Sequence, residues 1–168
     1  MKRFFVYILL VFICFMLQTT LFQWLELAGI VPNILIILVV SIGYMRGHNE
    51  AMITGILCGL CMDLMYGNVI GFYAFIYMSV GFVSAYTHYF YVADDFTIPL
   101  ILIGIGDLLY SVIFYTLSFL LRARLNVFYY LRRIMIPELI YTVIVAIILY
   151  KLIHSINQLM LKFESREE

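Results

Sequence analysis

Charge is scarce in this chain. Only 12% of its 168 residues are charged, against 65% hydrophobic, whereas a soluble domain carries about 25% charged residues. Such a sequence cannot cover itself with polar surface, which excludes an ordinary water-soluble domain. The ten basic and ten acidic residues balance and lie in short clusters between apolar runs, so there is no basic face for nucleic acid. Cysteine is limited to Cys14, Cys58 and Cys61, all inside apolar runs, which excludes the framework of a disulfide-stapled secreted domain. Cys58-Gly59-Leu60-Cys61 has C-x-x-C spacing, but it lies within an apolar helix and no second ligand pair follows, so packing accounts for it better than redox or zinc chemistry. His48, His88 and His154 show no ligand spacing, no serine sits in a nucleophile elbow, and no glycine run has P-loop form. The sequence therefore offers no catalytic residues, no cofactor site and no metal site.

Long apolar runs are what the chain has instead. About 20 apolar residues cross the ~30 Å hydrocarbon layer of a bilayer, and six candidate spans occur at 4–22, 28–45, 51–66, 69–90, 97–121 and 134–153. They predict an all-α membrane protein of six transmembrane helices, one integral membrane domain over 1–168 with the lipid bilayer as its solvent. Lys2 and Arg3 ahead of Phe4 to Leu17 look like a signal peptide, but Gln18, Thr19 and Thr20 make no small-residue cleavage site, so the run is read as a retained first span. Arg46-Gly47-His48-Asn49 and Tyr66-Gly67-Asn68 predict tight turns. Pro32 and Pro137 are read as helix starts, where a missing N–H costs nothing. The third run is the shortest and carries Asp63.

Orientation follows the basic residues of short loops. With Lys2 and Arg3 in the cytoplasm, six basic residues fall inside (Lys2, Arg3, Arg46, Lys151, Lys162, Arg166) and four outside (Arg122, Arg124, Arg132, Arg133), and both termini are cytoplasmic. The outside cluster, segment 122–133, sets Leu125, Phe128 and Tyr129 at helical spacing between basic ends. It reads as an interfacial helix whose arginines reach anionic headgroups, or as a docking surface for a partner.

Asp63, Asp107 and Glu138 are the acidic residues to explain, because an ionised carboxylate in hydrocarbon costs several kcal/mol unless paired, hydrated or protonated. Gly55, Gly59 and Asp63 share one face of the third helix, and the glycines allow a neighbouring backbone to approach. Asp63 near the C-terminal end of an outward-running helix faces an unfavourable dipole, so an arginine, a group of hydroxyls or a proton is expected to compensate. Asp107, with Tyr110 and Ser111 a turn later, is expected to make an interhelical hydrogen bond. Glu138, directly after Pro137, is expected to cap the sixth helix, with Arg133 as a partner.

Pro32-Asn33-Ile34-Leu35, then glycine and aspartate in the order Gly55-xxx-Gly59-xxx-Asp63-xxx-Gly67-xxx-Gly71, then the small-residue stretch from Tyr77 to Tyr86, resemble MreD, the rod shape-determining membrane protein family. The layout resembles that family over the whole chain, the specific residues over about 32–86. The resemblance implies a non-enzymatic scaffold of the bacterial cytoplasmic (inner) membrane, part of the elongasome that builds the lateral wall. Its implied partners are MreC, MreB, RodA and a class B penicillin-binding protein. It also implies a fold similar to the substrate-binding component of energy-coupling-factor vitamin transporters. Carried across by position, Pro32, Gly55, Gly59, Asp63, Gly67 and Gly71 become the helix-packing and partner-binding core; Arg122, Arg124, Arg132 and Arg133 are added from charge. Asn33 stands where such sequences often have aspartate. The competing reading, the binding component of a small-molecule transporter, lacks the usual alanines spaced by four in the first helix: residues 4–22 contain no Ala or Gly.

Overall fold

A computed structural model of the chain describes residues 2–26, 29–67, 69–91, 96–122 and 131–164. Six helices make up most of these. α1 (Lys2–Met16) continues through a π-helical turn, Leu17–Leu21, to Trp24; α2 is Ile34–Arg46 and α3 is His48–Tyr66. α4 is Phe72–Ala85 with a 3-10 extension, Tyr86–Phe90, while α5 is Thr97–Arg122 and α6 is Ile136–Glu164 behind a second π-helical turn, Leu131–Met135.

α2 is the axis of the bundle. Its sequence is apolar on every face, as a helix with no solvent side must be, and every residue from Ile34 to Met45 is buried. The other five helices all touch it. They turn large apolar side chains outward: Phe5 is 73% exposed, Leu64 79% and Ile148 71%. In water that surface would aggregate, and in lipid it matches its solvent. Among the described residues three stretches are long and apolar enough to cross a membrane, Phe4–Trp24, Thr97–Ser118 and Leu131–Lys162. α2 is apolar but has only 13 residues, about 20 Å of helix against the ~30 Å hydrocarbon layer.

Two local expectations change. The short helix is the second, not the third: residues 29–33 are not helical, Pro32 is buried two residues before the helix, and Asn33 is the N-cap. Apolar character alone does not report helicity, and Pro32 restricts the residue before it to extended backbone. Pro137 does not begin a helix either, because helical structure already runs from Leu131. Its ring would press on the carbonyl four residues back, at Arg133, and the wider π-helical turn over Leu131–Met135 relieves that contact.

Polar contacts close the end of the bundle at which α2 stops. Arg46 donates from Nε to Asn157 Oδ1 on α6 at 2.6 Å and lies 3.9 Å from Glu50, to which the Tyr7 hydroxyl of α1 also donates. Gly47, at φ +92°, lets the chain reverse directly from α2 into α3.

Candidate functional site

The glycine-lined face of α3 is filled from within the chain. A methyl on Gly59 would stand 2.6 Å from the Tyr73 carbonyl carbon and nearer still to Ala74 Cα and N; one on Gly55 would meet the Tyr77 carbonyl oxygen at 2.6 Å. α4 answers with Gly81, whose added methyl would meet the Ala51 carbonyl oxygen at 2.7 Å. α3 and α4 therefore pack backbone to backbone, and the strip is a helix-packing surface within the protein, not an open surface for a partner.

Asp63 explains why the hairpin closes there. Its Oδ2 accepts from the Gly71 N–H at 2.9 Å and the Ala74 N–H at 3.1 Å, and its Oδ1 accepts from the Tyr73 N–H at 2.9 Å. The expected arginine or hydroxyl partners are replaced by three backbone donors at the start of α4. The carboxyl group lies near the unfavourable end of its own helix but at the positive end of the next, which also carries the N–H groups lacking an intrahelical acceptor. Gly71 holds φ +98°, a conformation that disfavours any side chain. Gly67 is extended, and a methyl there would strike the Asp63 carbonyl oxygen at 2.5 Å.

A second polar cluster surrounds the start of α2. Asn33 N–H donates to the Thr142 hydroxyl of α6 at 3.0 Å, Ile34 N–H to the Pro32 carbonyl at 3.1 Å, Leu35 N–H to Gln18 Oε1 of α1 at 3.0 Å, and Ile36 N–H to Asn33 Oδ1 at 3.3 Å. Every donor of the cap and first turn is satisfied, three of the four by side chains, and an orphan in apolar surroundings would cost several kcal/mol. Tyr77 of α4 donates to Asn33 Oδ1 at 2.9 Å and is itself bonded to Tyr110 of α5, the two rings lying 5.2 Å apart. Asp107 of α5 is 1% exposed and hydrogen-bonds to Thr142. Its interhelical bond thus reaches α6 rather than Tyr110 or Ser111 of its own helix.

Glu138 is half-buried, four residues before Thr142 and on the same face of α6. It does not stand at a helix start, because the turn over Leu131–Met135 precedes it. Arg132 and Arg133 are exposed on that turn; Arg124 and the Arg122 side chain lie outside the described residues. The structure thus brings Gly55, Gly59, Asp63 and Gly71 together in one hairpin and relates Asp107 of α5 to Thr142 of α6, while Pro32 adjoins the second cluster through Asn33. Gln18, Tyr77 and Thr142 were missed. An isolated Gln or Thr in an apolar run carries no pattern, although Asn33 directly ahead of a continuous apolar stretch has the form of an N-cap. Among the described residues no group of three or more His, Cys, Asp or Glu could hold a metal ion, and the three cysteines are free.

An all-helical bundle with an apolar exterior, whose internal polar groups close helix ends, is a membrane protein built for packing. The chain belongs to the family described as rod shape-determining protein MreD, which matches residues 1–160. None of the curated proteins and none of the solved structures matches it.

Proposed function

We propose that this protein is a non-enzymatic scaffold subunit of the bacterial cell-elongation complex, holding a single-span partner of the MreC type beside other wall-building proteins such as MreB, RodA and a class B penicillin-binding protein. The family match over residues 1–160 carries the reading. Support comes from the polar interior: Asp63, Asn33, Gln18 and Thr142 are engaged with backbone N–H groups at helix starts, a use that holds a shape and moves no substrate. In this reading the chain crosses the inner membrane six times, the non-helical residues 29–33 completing the span that α2 is too short to make alone, in an arrangement like that of vitamin-binding transport components. Both termini are cytoplasmic. The contacts among Tyr7, Arg46, Glu50 and Asn157 agree with this, since they set the first part of α1 and the last part of α6 at one end of the bundle.

The partner meets the outer surface, since the strip on α3 is occupied by α4. α1 offers a bulky face there, with Phe5, Leu9 and Phe12 73%, 58% and 56% exposed. Purification in mild detergent with identification of co-purifying membrane proteins tests the reading. Recovery of an MreC-type single-span protein is expected; recovery of an ATPase-linked transport module instead would refute it.

A further inference from the structure

We propose that the cleft between the start of α5 and the later part of α6 holds one anionic phospholipid, an acyl chain lying in the cleft and the phosphate at Lys151. The inference is independent of the scaffold reading. Phe96 and Leu100 line one side and Ile147, Tyr150 and Lys151 the other, around a volume of about 220 Å³. Spacings of three and four residues set each group on one side of its own segment. Tyr150 is almost fully buried, and the Phe96 ring stands edge-on to it at 6.0 Å. Ile147 is exposed at the rim, so the cleft opens on the outer surface of the bundle, where lipid lies.

The lining is apolar except at the Lys151 ammonium and the Tyr150 hydroxyl. A slender aliphatic chain suits such a space, which is smaller than the ~300–1,000 Å³ of a site for a drug-sized ligand. Charge selects the headgroup. Lys151 is the first charged residue of α6 after Glu138, it is exposed, and its ammonium has no ion pair or hydrogen bond among the described residues. α5 begins at Thr97, directly after Phe96, and the positive end of its dipole adds about half a charge at the same cleft. The His154 ring packs on both aromatic walls, 5.9 Å from Phe96 and 6.0 Å from Tyr150, and its buried Nδ1 has no hydrogen-bond partner among the described residues.

The depth is that of a lipid headgroup. Lys151 lies six residues before Asn157, about 9 Å along the helix, and Asn157 meets Arg46 where polar contacts close the bundle. A lysine so placed extends its ammonium to the interface while its stem stays among apolar groups. In the proposed orientation this is the cytoplasmic leaflet, where anionic lipids attract each nearby lysine about fivefold; the site itself does not depend on that orientation.

Native mass spectrometry of the full chain in detergent, with dioleoyl phosphatidylglycerol and dioleoyl phosphatidylcholine added in equal amounts, tests this. The acyl chains are identical, so a difference reports the headgroup. One phosphatidylglycerol is expected to be retained in preference, K151M to reduce that preference about fivefold, and K151R to keep it. K162M removes the same charge about three turns further along α6 and is expected to leave the preference unchanged. I147W fills the cleft and is expected to weaken retention of both lipids; Ile147 and Lys151 are exposed, so neither change disturbs the core. Equal retention of the two lipids by the unsubstituted protein, the outcome expected if Asp94 and Asp95 neutralise Lys151 instead, overturns the proposal. A loss in K162M as large as that in K151M, or undiminished retention in I147W, overturns it as well.

Discussion

Gly59→Ala puts the α3–α4 hairpin to its hardest test, because helix propensity and packing pull in opposite directions. In an exposed helix interior the exchange would stabilise by about 1 kcal/mol. Here the new methyl would lie 2.6 Å from the Tyr73 carbonyl carbon and closer to Ala74, where ordinary contact begins at 3.4 Å. The obstacle is backbone, so no rotamer change relieves it and α4 must shift. Overpacking of this kind costs about 1–3 kcal/mol. A shift also stretches the Asp63 bonds to Gly71, Tyr73 and Ala74, charge-assisted contacts worth about 1.5–3 kcal/mol each when intact.

The expected net loss is about 2–4 kcal/mol. Gly104→Ala supplies the control: its methyl would meet Val143 Cγ2 at 3.5 Å and Leu139 Cδ1 at 3.9 Å, both ordinary contacts, so the variant is expected to be neutral or more stable by up to about 1 kcal/mol. Unfolding of the purified proteins by titration with a denaturing detergent, followed by circular dichroism, compares them directly. If Gly59→Ala unfolds together with Gly104→Ala, α3 and α4 do not approach as described, and the account of the hairpin is wrong.

Thr142→Val should cost about 2–4 kcal/mol in the same titration, because a near-isosteric methyl leaves both the Asn33 N–H and Asp107 without a partner; Thr142→Ser should cost under about 1 kcal/mol by keeping the hydroxyl. Asp63→Leu should cost more than about 3 kcal/mol by orphaning three backbone donors. Asp63→Asn is expected to fall between Leu and the native residue, since its single oxygen serves Gly71 and Ala74 while its amide opposes the Tyr73 N–H; hydrogen exchange at Tyr73 should quicken while that at Ala74 stays slow.

The helical class and the existence of a closely packed glycine face were legible because both rest on composition and spacing. Runs of apolar residues specify helices in a bilayer, since isolated backbone polar groups have no other way to be satisfied there, and Gly55, Gly59 and Asp63 four residues apart must share a side. The identity of the neighbour was not legible. A strip that admits a backbone is the same strip whether the backbone belongs to another chain or to Tyr73 and Ala74 a short turn away. Asp63 was misread for a related reason: its surroundings were inferred from its own helix, whereas its partners belong to the helix that follows. Thr142 gave no signal at all, because a single hydroxyl in an apolar run gains meaning only when α2 is found to begin beside it.

These particulars share one physical cause. α2, about 20 Å long, cannot reach both faces of the hydrocarbon layer, so one of its ends must lie at depth, where N–H groups cannot turn to water. A buried helix start needs acceptors fixed by neighbouring helices, and the fold draws them from α1 through Gln18 and from α6 through Thr142, with Tyr77 of α4 steadying Asn33. Each acceptor comes from a different segment, so the bond set forms only when α1, α4 and α6 are all seated on α2. The arrangement makes the apolar bundle specific: greasy helices could slide or rotate against one another at little cost, whereas a slip of α2 by one residue would misplace Gln18, Asn33 and Thr142 at once. In the proposed scaffold role, which depends on presenting a fixed outer surface, that registry matters more than the net stability the bonds contribute.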